Sequence, residues 1–167
     1  MKLRAALLAA TLLATPALLV GAPRGATAQD NLRIGVEAGP TSLDPHFASL
    51  ITNIAFSRHV FQPLMEQDHQ QNLRPAIATA MRVVDDTTWE VTLDPRARFH
   101  DGSPVTAEDV AFTIARAGDV PNSPSSFRYA TRPIAAVEAV DATTIRIRTN
   151  QPTPLLPNFL ALVMIVS

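Results

Sequence analysis

Phe99-His100-Asp101-Gly102-Ser103-Pro104-Val105-Thr106-Ala107-Glu108-Asp109-Val110 passes from a turn into a helix, and every residue of the transition has a physical reason. Asp101-Gly102-Ser103-Pro104 is turn chemistry, since Gly and Pro punctuate regular structure. Thr106 is a good N-cap, and Asp109 stands three residues on, where a capping-box acid belongs. Val105 and Val110 occupy the two positions of a hydrophobic staple. Glu108 and Asp109 put negative charge in the first turn, where the helix dipole favours it. The helix then runs to Ala117, with Gly118 as its C-terminal cap.

On both sides of this helix the period changes from helical to alternating. Upstream, residues 82–99 read as a β-hairpin: Val83-Val84 leads into the turn-prone Asp85-Asp86-Thr87, and Trp89, Val91 and Leu93 alternate with Glu90 and Thr92. The apolar set faces a core and the polar set faces solvent. Downstream, Ala139-Val140-Asp141-Ala142-Thr143-Thr144-Ile145-Arg146-Ile147-Arg148 parallels Val83 to Thr92, with Val, Asp, Thr and Thr coinciding. Shared hairpin chemistry is enough to explain that likeness. Between helix and second hairpin, Val120-Pro121-Asn122-Ser123-Pro124-Ser125-Ser126-Phe127 is too rich in Pro and Ser to be regular. Its lone aromatic, Phe127, reads as a plug into the core.

Further out the signals weaken. Leu32 to Glu37 alternates and predicts a strand. Leu43-Asp44-Pro45-His46 predicts an extended or turn segment, because Pro45 keeps Asp44 out of the helical region. From Ser49 to Gln62, the spacing of Ile51, Ile54, Ala55 and Val60 predicts an amphipathic helix that Pro63 ends. Phe159 to Val166 is an apolar run next to the last residue, where termini are usually polar. It predicts a buried element, and a chain that stops within a larger core.

The beginning of the chain is a different kind of sequence. Lys2 and Arg4 precede an apolar run from Ala5 to Val20, and Ala26-Thr27-Ala28 is the small-residue pattern of a signal-peptidase site. The run is shorter than the roughly 20 residues of a spanning helix. Export to the periplasm, with cleavage after Ala28, is the expectation. The leader holds three of the 14 basic residues (Lys2, Arg4, Arg24) and none of the 15 acidic ones, so the mature portion is mildly acidic. Such a balance offers no basic footprint for nucleic acid. The absence of cysteine excludes disulfides, thiolate metal sites and a lipidated cysteine.

Reactive groups do not converge in the sequence. His46, His59, His69 and His100 lack metal-ligand spacing. His100 and Asp101 are neighbours whose side chains diverge in a strand or turn. Ser57 and Ser103 lie in no nucleophile elbow, Asp85-Asp86 sits in a turn, and no glycine loop could cradle a phosphate. No catalytic residue, metal or cofactor is predicted.

Taken in order, several blocks carry a family resemblance. Residues 99–110 resemble the signature of bacterial extracellular solute-binding proteins of family 5, the oligopeptide, dipeptide and nickel-binding group. Ser42-Leu43-Asp44-Pro45-His46, Val60-Phe61-Gln62-Pro63-Leu64, Leu73-Arg74-Pro75-Ala76-Ile77-Ala78, Trp89-Glu90-Val91-Thr92-Leu93 and Val137 to Pro152 are similar to further blocks of that family, across residues 32–160.

The resemblance implies an α/β, periplasmic binding protein-like fold of the class II, two-lobed kind, with only the N-terminal part of lobe I present as β-hairpins and a few helices. It divides the chain into a signal peptide (1–28), the start of lobe I (29–61), an inserted α/β subdomain (62–150) and a return toward lobe I (151–167). It implies a non-enzymatic carrier, monomeric at full length, that takes a peptide or similar small solute to an ABC importer permease and its ATPase. Its ligand contacts fall on the backbone of Ser49, Leu50 and Ile51, offered in the manner of an added strand, and on Phe127 as a pocket aromatic, a reading that stands beside the plug. A secreted hydrolase with downstream catalytic residues is the alternative.

Overall fold

The computed structural model describes residues 32–167; the signal-peptide reading and its cleavage after Ala28 lie outside the described residues. Residues 36–167 form one compact unit, and residues 32–35 belong to a separate N-terminal unit.

Alternation between buried and exposed positions builds the main sheet. Strands β3 (Ala78–Asp85), β4 (Thr88–Leu93), β5 (Ile134–Ala139) and β6 (Thr144–Thr149) form an antiparallel sheet in the order β3-β4-β6-β5. Trp89, Val91 and Leu93 of β4 and Ile145 and Ile147 of β6 are buried on one face. Helix α2 (Ala107–Ala117) covers that face with Ala107, Val110 and Ile114. Leu64, Leu156, Leu160 and Ile165 complete the same core.

The predicted similarity of the two hairpins extends to their register. Arg82 faces Glu90 in the first hairpin and Glu138 faces Arg146 in the second, while Glu90 faces Arg146 where the hairpins meet. The result is a row of alternating charge, Arg82-Glu90-Arg146-Glu138, running across all four strands on the face away from the core. The turns match too: Asp85 accepts from the Thr87 N–H at 2.9 Å and Asp141 from the Thr143 N–H at 2.8 Å. Two copies of one hairpin pattern thus pair around the Glu90–Arg146 position with their charges exchanged.

The turn before α2 is as tightly written as its sequence. Gly102 takes φ +89°, a conformation that favours glycine, and Asp101 accepts from the Ser103 N–H at 2.8 Å. The capping box forms in both directions: the Asp109 N–H donates to Thr106 Oγ1 at 3.3 Å, and the Thr106 N–H donates to Asp109 Oδ2 at 2.8 Å. Val105 and Val110, the staple pair, are both buried.

Gly118 is the C-cap, but at φ −82° it is not there for a left-handed turn. What requires glycine is the approach of α3 (Arg128–Thr131): a Cβ at residue 118 would collide with Thr131 Oγ1. Gly118→Ala is expected to cost about 1–3 kcal/mol through this overpacking. Thr131→Ala in the same chain should recover most of the loss in a denaturant melt; no recovery would show that the collision is not the cause.

Two expectations are corrected. Leu32 to Glu37 forms no strand, and Leu32, Ile34 and Val36 are exposed; alternation makes a strand only where a partner strand pairs with it. The helix predicted from Ser49 to Gln62 is shorter, α1 being Ile51–Ser57, and of the predicted inward set Ile51, Ile54, Ala55 and Val60 only Ile54 packs inward, against the cluster of Phe127. Asn53 and Ser57 are buried while Ile51, Ala55 and Val60 are exposed. Polar bonding decided this: Asn53 Oδ1 accepts from the Thr41 N–H at 3.4 Å, and its Nδ2 donates to Thr41 Oγ1 at 3.1 Å.

The apolar run near the end is buried as predicted. Helix α4 (Leu156–Leu160) is followed by Ala161, Val163, Met164 and Ile165, all buried. Met164 bridges Pro63, Ile165 N–H donates to the Gln62 carbonyl at 2.9 Å, and Val166 N–H donates to Thr113 Oγ1 at 3.0 Å. A small two-stranded sheet, β1 (Met65–Gln67) with β2 (Leu73–Pro75), lies beside the first of these contacts.

Candidate functional site

Ser49, Leu50, Ile51 and Phe127 come from stretches 76 residues apart in the case of Ser49 and Ser125, the loop residue that joins them. Ala48 and Ser125 form a parallel bridge. The Ser49 N–H donates to the Ser125 carbonyl at 2.7 Å, and the two hydroxyls lie 2.8 Å apart. Ser123 Oγ donates to the Phe47 carbonyl at 2.7 Å. The Pro- and Ser-rich loop, irregular by composition, is therefore stitched to the chain after His46 by hydroxyls that suit short-range bonding.

Each predicted residue has a definite place. Ser49 is partly buried and its N–H is already used by Ser125. Leu50 is the extended N-cap of α1 and Ile51 its first residue, and both side chains are exposed, Ile51 by 84%. Phe127 is only 1% exposed and lies with Ala117, Ala130 and Val163 in a second apolar cluster. Its ring meets His46 edge-on at 6.1 Å and stacks with Tyr129 at 6.4 Å. Ser49 and Phe127 are thus brought together through Ser125 and His46, with Phe127 in the plug position and Leu50 and Ile51 turned outward.

Beneath this segment lies a network that spacing along the sequence did not reveal. His46 is completely buried. One ring nitrogen, Nε2, is 2.7 Å from the Met164 carbonyl, and the other, Nδ1, is 2.8 Å from Arg116 Nη1. Arg116, in the last turn of α2, also grips Asp44 with both arms, at 3.0 and 2.6 Å. Asp44 Oδ1 additionally accepts the His46 N–H at 2.9 Å. Among the described residues every buried polar side-chain atom has a partner. The Asp44-Pro45-His46 motif was visible in sequence; its partner Arg116 carried no signal beyond being a cation near a helix C-terminus.

The electrostatics arise from these contacts. Hydrogen bonds from Arg116 hold the Asp44 carboxyl below its usual 3.8. Burial pushes His46 below its usual 6.5, and the Arg116 charge adds to that, against the opposing Met164 bond and the Asp44 charge. The unfolded chain therefore takes up the His46 proton near 6.5 while the folded chain resists it. Stability from His46 is complete above about 6.5 and falls as pH drops below that value, until the lower folded-state value is passed. The Asp44 contribution is present above 3.8 and is lost only at lower pH. His46→Asn should remove the decline in melting temperature that begins just below 6.5; an unchanged decline would assign it elsewhere.

Other features lie away from this segment. A groove of about 590 Å³ is lined by Phe61, Ile77, Val105 and Ile165 together with Arg58 and Arg98, and it includes none of the four predicted residues. Among the described residues no three His, Asp or Glu side chains gather in a way that could hold a metal ion.

Residues 72–167 match the family model described as bacterial extracellular solute-binding proteins, family 5 middle. The periplasmic murein peptide-binding protein MppA of Escherichia coli (strain K12) is 32% identical over 139 residues, covering 73% of this chain and 26% of its own length. The glutathione-binding protein GsiB of the same strain is 31% identical over 137 residues, covering 81% of this chain and 27% of its own. The solved structure of Escherichia coli MppA superimposes with a TM-score of 0.72 over 79% of this chain and 30% of that one, at 29% identity. OppA of Burkholderia pseudomallei, at 24% identity, shares the fold with a TM-score of 0.73 over 79% of this chain and 29% of its own. The chain spans about a quarter of the length of the curated relatives it matches. MppA and GsiB are binding proteins by name, and neither supports the hydrolase alternative.

Proposed function

Because this chain belongs to the bacterial extracellular solute-binding proteins of family 5, we propose that it is part of the substrate-binding component of an ABC-type importer, capturing a peptide or similar small solute in the periplasm for the permease and its ATPase. Residues 1–28 serve as the signal peptide in this reading, residues 62–150 as the inserted subdomain, and residues 29–61 and 151–167 as parts of the lobe from which it projects. The protein works without catalysis, by closing on its ligand.

The observation that carries the proposal is the held segment from Asp44 to Ile51. Its polar side chains and the Ser49 amide are tied down toward the protein, while Leu50 and Ile51 stand outward at the start of α1. An extended peptide adds to such a backbone through main-chain bonds, which bind many sequences alike. Ser49, Leu50 and Ile51 are the proposed contacts, through main-chain groups other than the Ser49 N–H, which Ser125 holds, and the Leu50 carbonyl, which accepts the Ile54 N–H at 2.9 Å. Phe127, fully covered, supports the segment from beneath through His46.

Thermal melts of the full-length protein test this, with tri-alanine and reduced glutathione as probes and maltose as control. A ligand at 100 times its Kd adds about 2.7 kcal/mol to stability, so either peptide should raise Tm by several degrees while maltose leaves it unchanged. No shift with either peptide, or an equal shift with maltose, would reject the peptide reading.

A further inference from the structure

Among the described residues, Arg116 is the side chain that touches both Asp44 and His46, and those two residues begin the segment that carries Ser49. From there every constraint runs inward. Asp44 is held at both carboxylate oxygens by the guanidinium, the Phe47 carbonyl by Ser123, and Ser49 by Ser125. Asp44 also bonds the His46 and Phe47 amides from its own side chain and carbonyl, at 2.9 and 3.2 Å. Removing Arg116 therefore loosens the Asp44–His46 end of a short, turn-rich stretch whose other end is held by the loop at Ser123 and Ser125.

We infer that Arg116 is a positioning residue for the segment from Asp44 to Ser49: by gripping Asp44 and His46 together it sets the backbone that leads into the ligand edge. The inference rests on the importer reading for the use of that edge, but the lock itself does not depend on it.

The donors and acceptors fix one state of the His46 ring. Arg116 can only donate, so Nδ1 must present its lone pair. The Met164 carbonyl can only accept, so Nε2 must carry the hydrogen. A second proton on Nδ1 would point at a guanidinium N–H, and the Arg116–His46 contact would break. The groups facing the ring are Arg116 from α2, Asp44 from its own segment, the Met164 carbonyl from the stretch after α4, and the Phe127 ring from the start of α3. Asp44 is already committed to Arg116, which leaves a ring cation no free acid to turn to among these. The lock is therefore closed at neutral pH and opens on acidification.

Amide hydrogen exchange on the full-length protein separates positioning from general stability. Arg116→Lys keeps one charge but loses the fork that serves two partners. It should speed exchange at Phe47 and Ser49 by about tenfold, while Val91 and Ile147 in the sheet change less than about twofold. In the wild type, exchange at Ser49 corrected for intrinsic rate should be level above about pH 6.5 and rise as pH falls below that value, because the closed ring resists a proton that the opened ring takes up. In His46→Asn, whose Oδ1 stands where Nδ1 was and does not titrate, that rise should vanish. Unchanged protection of Ser49 in Arg116→Lys overturns the inference, as does an equal loss of protection in the sheet. Persistence of the pH effect in His46→Asn overturns the ring as its source. The binding arm uses tri-alanine and reduced glutathione, with about tenfold weaker binding expected in Arg116→Lys. Wild-type protein that binds neither rejects the peptide reading, and the exchange comparison still decides the lock.

Discussion

Phe127→Ala is expected to lower stability by about 3–5 kcal/mol, the range for removing a buried phenylalanine. The ring is 1% exposed and belongs to the cluster of Ala117, Ala130 and Val163. It also supplies the edge contact to His46 and the stack on Tyr129. Truncation therefore opens a cavity and at the same time removes the support of a fully buried histidine. Phe127→Leu, which keeps most of the apolar volume, should cost clearly less. A urea melt reads both variants, and a loss below about 1 kcal/mol for alanine would mean that the ring is not the plug that its burial indicates.

Ile147→Ala should cost about 2–5 kcal/mol. Ile147 is fully buried in β6 and is flanked across the sheet by Trp89 on β4 and Val137 on β5. Helix α2 closes over the same face, so the space left by the lost methyl and methylene groups cannot collapse freely. The control is Val84→Ala at the exposed end of edge strand β3, which should change stability by no more than about 0.5 kcal/mol. Equal effects at the two sites would contradict the assignment of the core to one face of the sheet.

Sequence alone determined the parts of this protein whose cause is local. The capping box at Thr106 and Asp109, the staple of Val105 and Val110, the Gly102 turn and both hairpin turns needed only neighbouring residues and formed where their chemistry stands, although the first hairpin spans Ala78 to Leu93 and not residues 82–99. The family resemblance was legible for the same reason, since it rests on those ordered local blocks. For the helix near residue 51, apolar spacing places only Ile54 correctly, because it predicts burial only when nothing polar competes. Asn53 is turned in by bonds to Thr41, twelve residues earlier. Leu32 to Glu37 alternates like a strand, but strands are made by partners, which no window of sequence supplies.

Only the tertiary structure decided the rest. Arg116 lies 72 residues from Asp44 and 70 from His46, and Met164 lies 118 from His46. Nothing in the spacing of a lone arginine or a backbone carbonyl announces such a partner. The same holds for Gly118, whose small size matters because α3 passes over it, and for Phe127, whose choice between plug and exposed aromatic depended on what surrounds it. A motif records what its own residues prefer; which distant donor meets which buried acceptor is settled when the chain closes on itself.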